Sequence, residues 1–436
     1  MVRLVSASLL FLSMLFPAYA ENAPPNATLI KNVQIFDGHD LITSNGAVRV
    51  SGSEIVEVSL RPLAAKAGEK TINGDGRFLM PGLIDAHVHV SWAYPFSKRS
   101  QASETYITAL AVANAEAMLL RGFTTVRDTG GTDFGLATAI NEGYTPGPRI
   151  VFAGRTLTQT GGHADYRGLS DPPEPASRFR FGAVIADGEA QVLQAAREEL
   201  RRGSGFIKVH AGGGVSSPQD PLHVVQYSAG EIGAAVLAAE NWGTYVAAHA
   251  YTPQAITLAL EAGVKTIEHG NLIDRPSARL AKEKDAYVVP NVVTYWALDQ
   301  GEGLPAYLKE KNKIALEGMW NGLAILKEEN VKIAFGTDLI ADMHAHQNRE
   351  FILRSRVFTG LEILRQATSV NGGLIALSGP LNAYGKVGVI EPGAKADLLL
   401  IERNPIDDIT VMAEPEANFA IIMKDGEIVK DSRRAR

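Results

Sequence analysis

A histidine pair, His87-Val88-His89, ends the run Phe78 to His89, which reads as a buried strand entered through the Pro81-Gly82 turn. Strand side chains alternate, so His87 and His89 share a face, and two imidazoles at one strand end make half of a metal site. A bare pair of this kind also occurs as ordinary core packing. Later strand-like runs end in matching groups: Lys208 in Ile207-Lys208-Val209-His210, His249 in Val246-Ala247-Ala248-His249, His269 in Ile267-Glu268-His269-Gly270, and Asp338 after Gly336-Thr337. Singly, each has a plainer reading: a packed histidine, a lysine in an ion pair, an aspartate capping a helix. Together they describe a divalent-metal site of nitrogen and oxygen donors. The chain has no cysteine, which excludes thiolate ligation and disulfides.

Eight short apolar runs must position these groups. They are Leu83 to Val90, Thr124 to Asp128, Arg149 to Ala153, Phe206 to His210, Thr244 to His249, Thr266 to His269, Tyr287 to Val292 and Lys332 to Thr337. Helical stretches alternate with them, among them Ser103 to Arg121, Gly188 to Arg202, Ala229 to Asn241 and Leu308 to Glu329. This alternation signals parallel βα units, and eight of them predict an α/β fold of the (β/α)8 TIM-like barrel type, over residues 81–384. A doubly wound open sheet is the alternative, but no G-x-G-x-x-G follows the first strand. In a barrel of this kind the strand ends hold the active site, which is where the polar groups fall.

Both chain ends read differently. Short strands with turns between them, over 21–80 and 385–436, predict a small β-sandwich built jointly by the two ends. Residues 1–20 have the pattern of a cleaved export signal: Arg3, the apolar Leu4 to Phe16, and Ala18-Tyr19-Ala20 as cleavage site. A periplasmic or secreted protein without a stable membrane anchor is expected. The net charge of −6 gives no basic footprint for nucleic acid.

His87-x-His89, Lys208, His249, His269 and Asp338, on strands one, four, five, six and eight, resemble the binuclear amidohydrolase superfamily. The lead-in Pro81-Gly82-Leu83-Ile84-Asp85 and the closing Gly388-x-Ile390-x-Pro392-Gly393-x-x-Ala396-Asp397-Leu398 belong to the same resemblance. Thr160-Gly161-Gly162-His163, Gly212-Gly213-Gly214-Val215 and Ile267-Glu268-His269-Gly270 are similar to its imidazolonepropionase-like branch, which includes Xaa-Pro dipeptidases, carboxypeptidases and ochratoxin-hydrolysing amidohydrolases.

The resemblance implies two divalent ions, zinc before manganese or cobalt. His87, His89 and Asp338 would hold one, His249 and His269 the other, and a carboxylated Lys208 (a carbamate formed with CO2) would bridge them. It makes Asp338 the general base and acid of amide hydrolysis. His163 stands in a glycine loop where it can contact the substrate carbonyl or the tetrahedral intermediate. Tyr227, with Arg127 as cation, would hold a substrate carboxylate as in the dipeptidase-like branch. His344 and His346 would line the pocket mouth. His210 departs from the branch pattern, and two residues from Lys208 it is expected to support the carbamate or a ligand by hydrogen bonding, or simply to pack. His39 and His223 have no assigned role.

The expected enzyme hydrolyses the amide of N-acyl or aminoacyl amino acids with a free carboxylate, Xaa-Pro dipeptides and ochratoxin-type amides among them, and forms homo-oligomers. A cyclic-amide hydrolase is the rival enzyme. A periplasmic metal- or solute-binding protein is the rival from another class, and it leaves Asp338 and Lys208 without a purpose.

Overall fold

The computed structural model describes residues 27–94, 98, 102–171, 182–302 and 304–433. The expected export signal over residues 1–20 lies outside the described residues.

The middle of the chain carries eight parallel strands: β1 (Leu83–Val88), β2 (Phe123–Asp128), β3 (Arg149–Phe152), β4 (Ile207–His210), β5 (Val246–Ala250), β6 (Thr266–His269), β7 (Tyr287–Val289) and β8 (Lys332–Ile333). β1 to β3 form one sheet, and β4 to β8 follow in order in another, extended at the β4 edge by Thr156–Thr158 and Ala183–Ile185. Backbone hydrogen bonds span both gaps between them. Gly205 N–H donates to Phe152 O at 2.9 Å, and Ala86 N–H donates to Phe335 O at 2.8 Å.

Each expected run contains a strand, though β7 and β8 are shorter than their periodicity suggests. Pro290 has no N–H to offer the ladder, and helix Val292–Gln300 starts just after it. Beyond β8 the chain still follows β1, and Asp338 N–H donates to His87 O at 2.8 Å. Helices Glu104–Leu120, Glu189–Arg201, Ala229–Asn241 and Ala306–Glu328 lie where expected. Ser103 caps the first, and a reciprocal Ser228–Glu231 box caps the third. No helix among the described residues is long and apolar enough to cross a membrane.

The two chain ends meet in one eight-stranded sheet. Its order is Glu427–Asp431, Phe419–Lys424, Leu398–Ile401, Phe78–Pro81, Ala27–Phe36, Leu41–Ser51 and Glu54–Ser59, with Lys70–Asn73 also paired to Ala27–Phe36. In place of the two layers expected of a sandwich, hydrogen bonding makes a single sheet. It curls until Ile55 N–H reaches Ala394 O at 2.9 Å. The curl encloses its own core, including Ile35, Val48, Leu79, Leu400 and Ile421. Period-two alternation sends Phe78, Met80, Leu399, Ile401 and Ile422 the other way, into the main core.

The end sheet also sets where β1 begins, because Phe78–Pro81 runs through Gly82 into Leu83. Gly82 N–H donates to Asp397 O at 2.8 Å. The Asp397 carboxylate takes both guanidinium nitrogens of Arg149 at the start of β3, with Nη2 at 3.0 Å. Arg149 and Asp397 are buried. Removing Asp397 would leave the buried Arg149 only the part-exposed Asp425, at a cost of up to about 3–5 kcal/mol. Asp397→Ala should therefore lower the thermal unfolding midpoint clearly in calorimetry. A midpoint equal to wild type would refute this coupling of end sheet to parallel strands.

Candidate active site

The first group of donors depends on a fault in strand pairing. Ile84 and Ala86 face the inner cluster with Ala247, Val289 and Ala334, so strict alternation would send His87 outward. The register of β1 against β2 slips between Asp85 and Val88, and this bulge turns His87 and His89 inward together. Each ring is then pinned from behind. His87 Nδ1 lies 2.7 Å from Glu268 Oε2, and His89 Nδ1 lies 2.7 Å from Gly130 O. Both Nε2 atoms are left facing Asp338 Oδ1, at 3.4 and 3.1 Å. The three residues form one compact ligand group.

Asp338 and His269 reach the pocket by backbone geometry rare for their residue types, with φ of 54° and 76°. At His269 this breaks alternation, so that Glu268 and its neighbour both serve the interior. His269 Nδ1 lies 3.0 Å from Tyr295 Oη and 3.8 Å from Asp338 Oδ2. The ring of His249 stands 4.4 Å from that of His269, and its Nε2 lies 3.2 Å from Gly213 O. Burial, the largest influence, pushes both imidazoles well below their ordinary pKa, which keeps them neutral and able to coordinate. Lys208 is buried on the same wall, and burial lowers its ammonium to about 8. Burial would raise the Asp338 carboxyl, but His87 and His89 outweigh it and hold that group well below the carboxylate range.

His163 stacks on His249 at 4.3 Å, and its Nδ1 lies 2.7 Å from Ser217 Oγ and 3.3 Å from Asp220 Oδ2. Close passage of the backbone makes room for it: a Cβ on Gly214 would lie 2.0 Å from His163 Cε1. Lys311 Nζ braces this loop by donating to Gly214 O and Ser217 O at 3.0 and 2.8 Å. His210 shares the face of Lys208, and its Nε2 lies 3.1 Å from Thr156 Oγ1. Around these donors the wall is aromatic and apolar, with Trp92, Tyr166, Tyr251, Tyr295, Leu298 and Ile340. Trp92 stacks on His89 at 4.6 Å.

Some expected site residues are elsewhere. Arg127 is fully buried below the pocket, where it donates to Ala86 O, Tyr245 Oη, Thr266 Oγ1 and Glu268 Oε1 at 2.5, 3.2, 3.1 and 2.6 Å. It is a strut for Glu268 and cannot receive a substrate carboxylate. Tyr227, at φ 61°, turns its ring into the main core and is absent from the pocket wall. His344 is buried behind the wall, where burial pushes it down to about 3, and His346 is exposed with its ring edge on Trp296. His39 and His223 are on the surface. His87, His89, His163, Lys208, His210, His249, His269 and Asp338 do line one pocket.

Sequence reasoning gave no role to Glu268, Asp220 or Trp92. Glu268 directly precedes His269 in Ile267-Glu268-His269-Gly270, and strict alternation would set the two on opposite faces. The donor set fits divalent ions: buried imidazoles with outer hydrogen bonds, of which burial keeps His249 and His269 neutral, and one anionic carboxylate. Despite burial, Arg127 beside it holds the Glu268 carboxyl well below its usual range, so it is anionic where it grips His87. Loss of such an outer carboxylate weakens metal binding about 10- to 100-fold. Glu268→Gln should show that loss in a zinc titration against a chromophoric chelator, and unchanged affinity would refute the role.

Comparison with known proteins agrees with this arrangement. The amidohydrolase family profile matches residues 78–430. An ochratoxinase of Aspergillus niger is 30% identical over 374 residues, covering 81% of this chain and 75% of that protein. A solved prolidase, complexed with N-methylphosphonate-L-proline, superposes with a TM-score of 0.87 at 39% identity, over 93% of this chain and 100% of its own. A Xaa-Pro dipeptidase with methionine bound in its active site gives 0.82 at 29%, over 93% and 100%. Family profile and relatives alike span the strands that carry the pocket, and this chain belongs to the amidohydrolase family as a hydrolytic enzyme acting on amide bonds.

Proposed function

We propose that the chain hydrolyses the amide bond of N-acyl or aminoacyl amino acids that keep a free carboxylate, with a preference for aromatic side chains. The observation that carries this reading is the reach of Asp338, whose Oδ1 serves His87 and His89 while Oδ2 faces His269. A carboxylate touching both halves of the donor set is placed to handle the proton of a water between them. His87, His89 and Asp338 would hold one divalent ion, zinc in the first instance, and His249 and His269 a second, with Lys208 as bridging carbamate. Bound there, the ions would acidify a water to a pKa of roughly 7 and polarise the scissile carbonyl.

The remaining steps belong to the protein. Asp338 takes the proton of the attacking water and returns it to the amide nitrogen, which leaves poorly unless protonated. His163, held by Ser217 and Asp220, offers Nε2 to the carbonyl oxygen as negative charge develops. With Arg127 and Tyr227 withdrawn, the substrate carboxylate falls to donors on the His163 side, of which Tyr166 and Ser216 are on the wall. Trp92, Tyr251 and Leu298 supply an apolar surface for an aromatic group. The ligands in the prolidase and dipeptidase relatives, both amino-acid derivatives or amino acids, support this substrate class.

We propose with it a closed (β/α)8 barrel over residues 81–384, since hydrogen bonds already cross both sheet gaps, with the end sheet as a companion domain of residues 21–80 and 385–436. Arg3 and the apolar Leu4 to Phe16 support export.

The direct test compares N-acyl-phenylalanine with its C-terminal amide on enzyme loaded with zinc and bicarbonate. The acid should be preferred roughly 10- to 100-fold in kcat/KM, the worth of a charge-assisted hydrogen bond of about 1.5–3 kcal/mol. Chelation should abolish both activities. Equal cleavage of the two compounds would sink carboxylate recognition, and cleavage of neither with metal bound would sink the substrate class. Asp338→Asn should keep its zinc yet lose about 10²–10⁴-fold in kcat, and near-normal turnover would remove it from proton transfer.

A further inference from the structure

The pocket contains a second cluster of donors, which shares His249 with the hydrolytic reading and adds two histidines that reading does not use as ligands. His163, His210 and His249 each present one ring nitrogen so that these atoms all lie within 4.8 Å of one another. Their ring centroids stand 4.3, 5.4 and 5.2 Å apart. All three rings are buried. Each also has a hydrogen-bond partner for one ring nitrogen, as a metal-ligating histidine does: Ser217 and Asp220 for His163, Thr156 for His210, Gly213 O for His249. The remaining nitrogen of His210, Nδ1, is buried with no hydrogen-bond partner. Its Nε2 is already engaged by Thr156 Oγ1, so Nδ1 is the ring nitrogen left to meet a ligand.

We propose that His163, His210 and His249 form an alternative seat for the divalent ion that His249 and His269 hold. His249 is the pivot, 4.4 Å from His269 on one side and 4.3 Å from His163 on the other, ring to ring. Three imidazoles with a fourth position open to the pocket suit zinc or cobalt. The seat rests on the reading that His249 and His269 bind an ion. An ion moved there occupies His163, which that reading gives to the substrate carbonyl, so the moved form is inactive although fully metallated.

Removing His269 separates the two seats. His269→Asn suits the left-handed backbone there, because asparagine tolerates positive φ. His210→Gln keeps a polar atom near Thr156 while deleting Nδ1. Wild type, H269N and H269N/H210Q would be dialysed to equilibrium against buffered zinc and their metal content measured by elemental analysis. H269N should retain the second ion without turnover, and H269N/H210Q should lose it. With cobalt in place of zinc, the visible absorption of H269N should differ in shape from wild type, and the second ion's share should vanish in the double variant. Thr156→Val on the H269N background should weaken the second ion on the order of 10-fold, and covers the case in which the double variant does not fold. The proposal is overturned if H269N alone loses the ion, if H269N/H210Q binds as much as H269N, or if Thr156→Val changes nothing. A wild type that binds only one ion overturns the paired site together with this seat.

Discussion

Every histidine in the pocket must turn a lone pair inward and a proton outward, and the surrounding structure exists largely to enforce that. A buried imidazole with no outer partner could take either tautomer or flip, and a ligand atom would be lost with it. Glu268 serves His87, Gly130 O serves His89, Gly213 O serves His249, Thr156 serves His210, and Ser217 with Asp220 serves His163, while His269 Nδ1 lies between Tyr295 Oη and Asp338 Oδ2. These partners come from loops and strands all around the pocket. The pocket is therefore a property of the whole parallel arrangement, and no single βα unit could supply it.

The enforcing groups have to be held in turn, and this explains the buried charges. Arg127 lies against Glu268 and does most to hold it anionic, and Arg127 is fixed by Ala86 O, Tyr245 and Thr266. Arg354 and Glu350 form a similar buried pair behind β7, where Glu350 accepts from Val293 N–H and Arg354 donates to Pro290 O. Buried pairs of this type contribute little net stability, since desolvation offsets most of their attraction. Their value here is positional: each fixes a strand end to within a hydrogen bond. Asp397 and Arg149 do the same where the end sheet hands the chain to β1.

Much of this was legible in the sequence wherever period two holds. β4 is regular, so Lys208 and His210 fall on one face as alternation demands, and the Leu398–Ile401 strand alternates between two cores. Reading fails where the backbone departs from that period. The bulge in β1, the positive φ at His269 and the same conformation at Asp338 leave no mark in residue type. Alternation then assigns Glu268 to the wrong side. Arg127 misled for a related reason: an arginine in the body of a strand points below the pocket floor, whereas one in the following loop could face a substrate. Tyr227 sits in a suitable loop, but its own left-handed backbone swings the ring into the core.

These departures gather at the chemistry. Non-glycine residues with positive φ carry a conformational cost, and the neighbouring structure must over-determine them. At Asp338 the constraint is visible, because its N–H is tied to His87 O while its carboxylate meets the rings of His87 and His89. Relaxing the backbone would break the strand contact and the side-chain contacts together. Asp338 is thus fixed between both halves of the donor set by its backbone and its side chain together. An ordinary strand end or helix cap at this position would spare the strain, but it would leave the carboxylate less firmly fixed. The bulge under His87 acts in the same way. Local rules are broken at the residues that must converge, and the regular strands and the curled end sheet hold those breaks fixed.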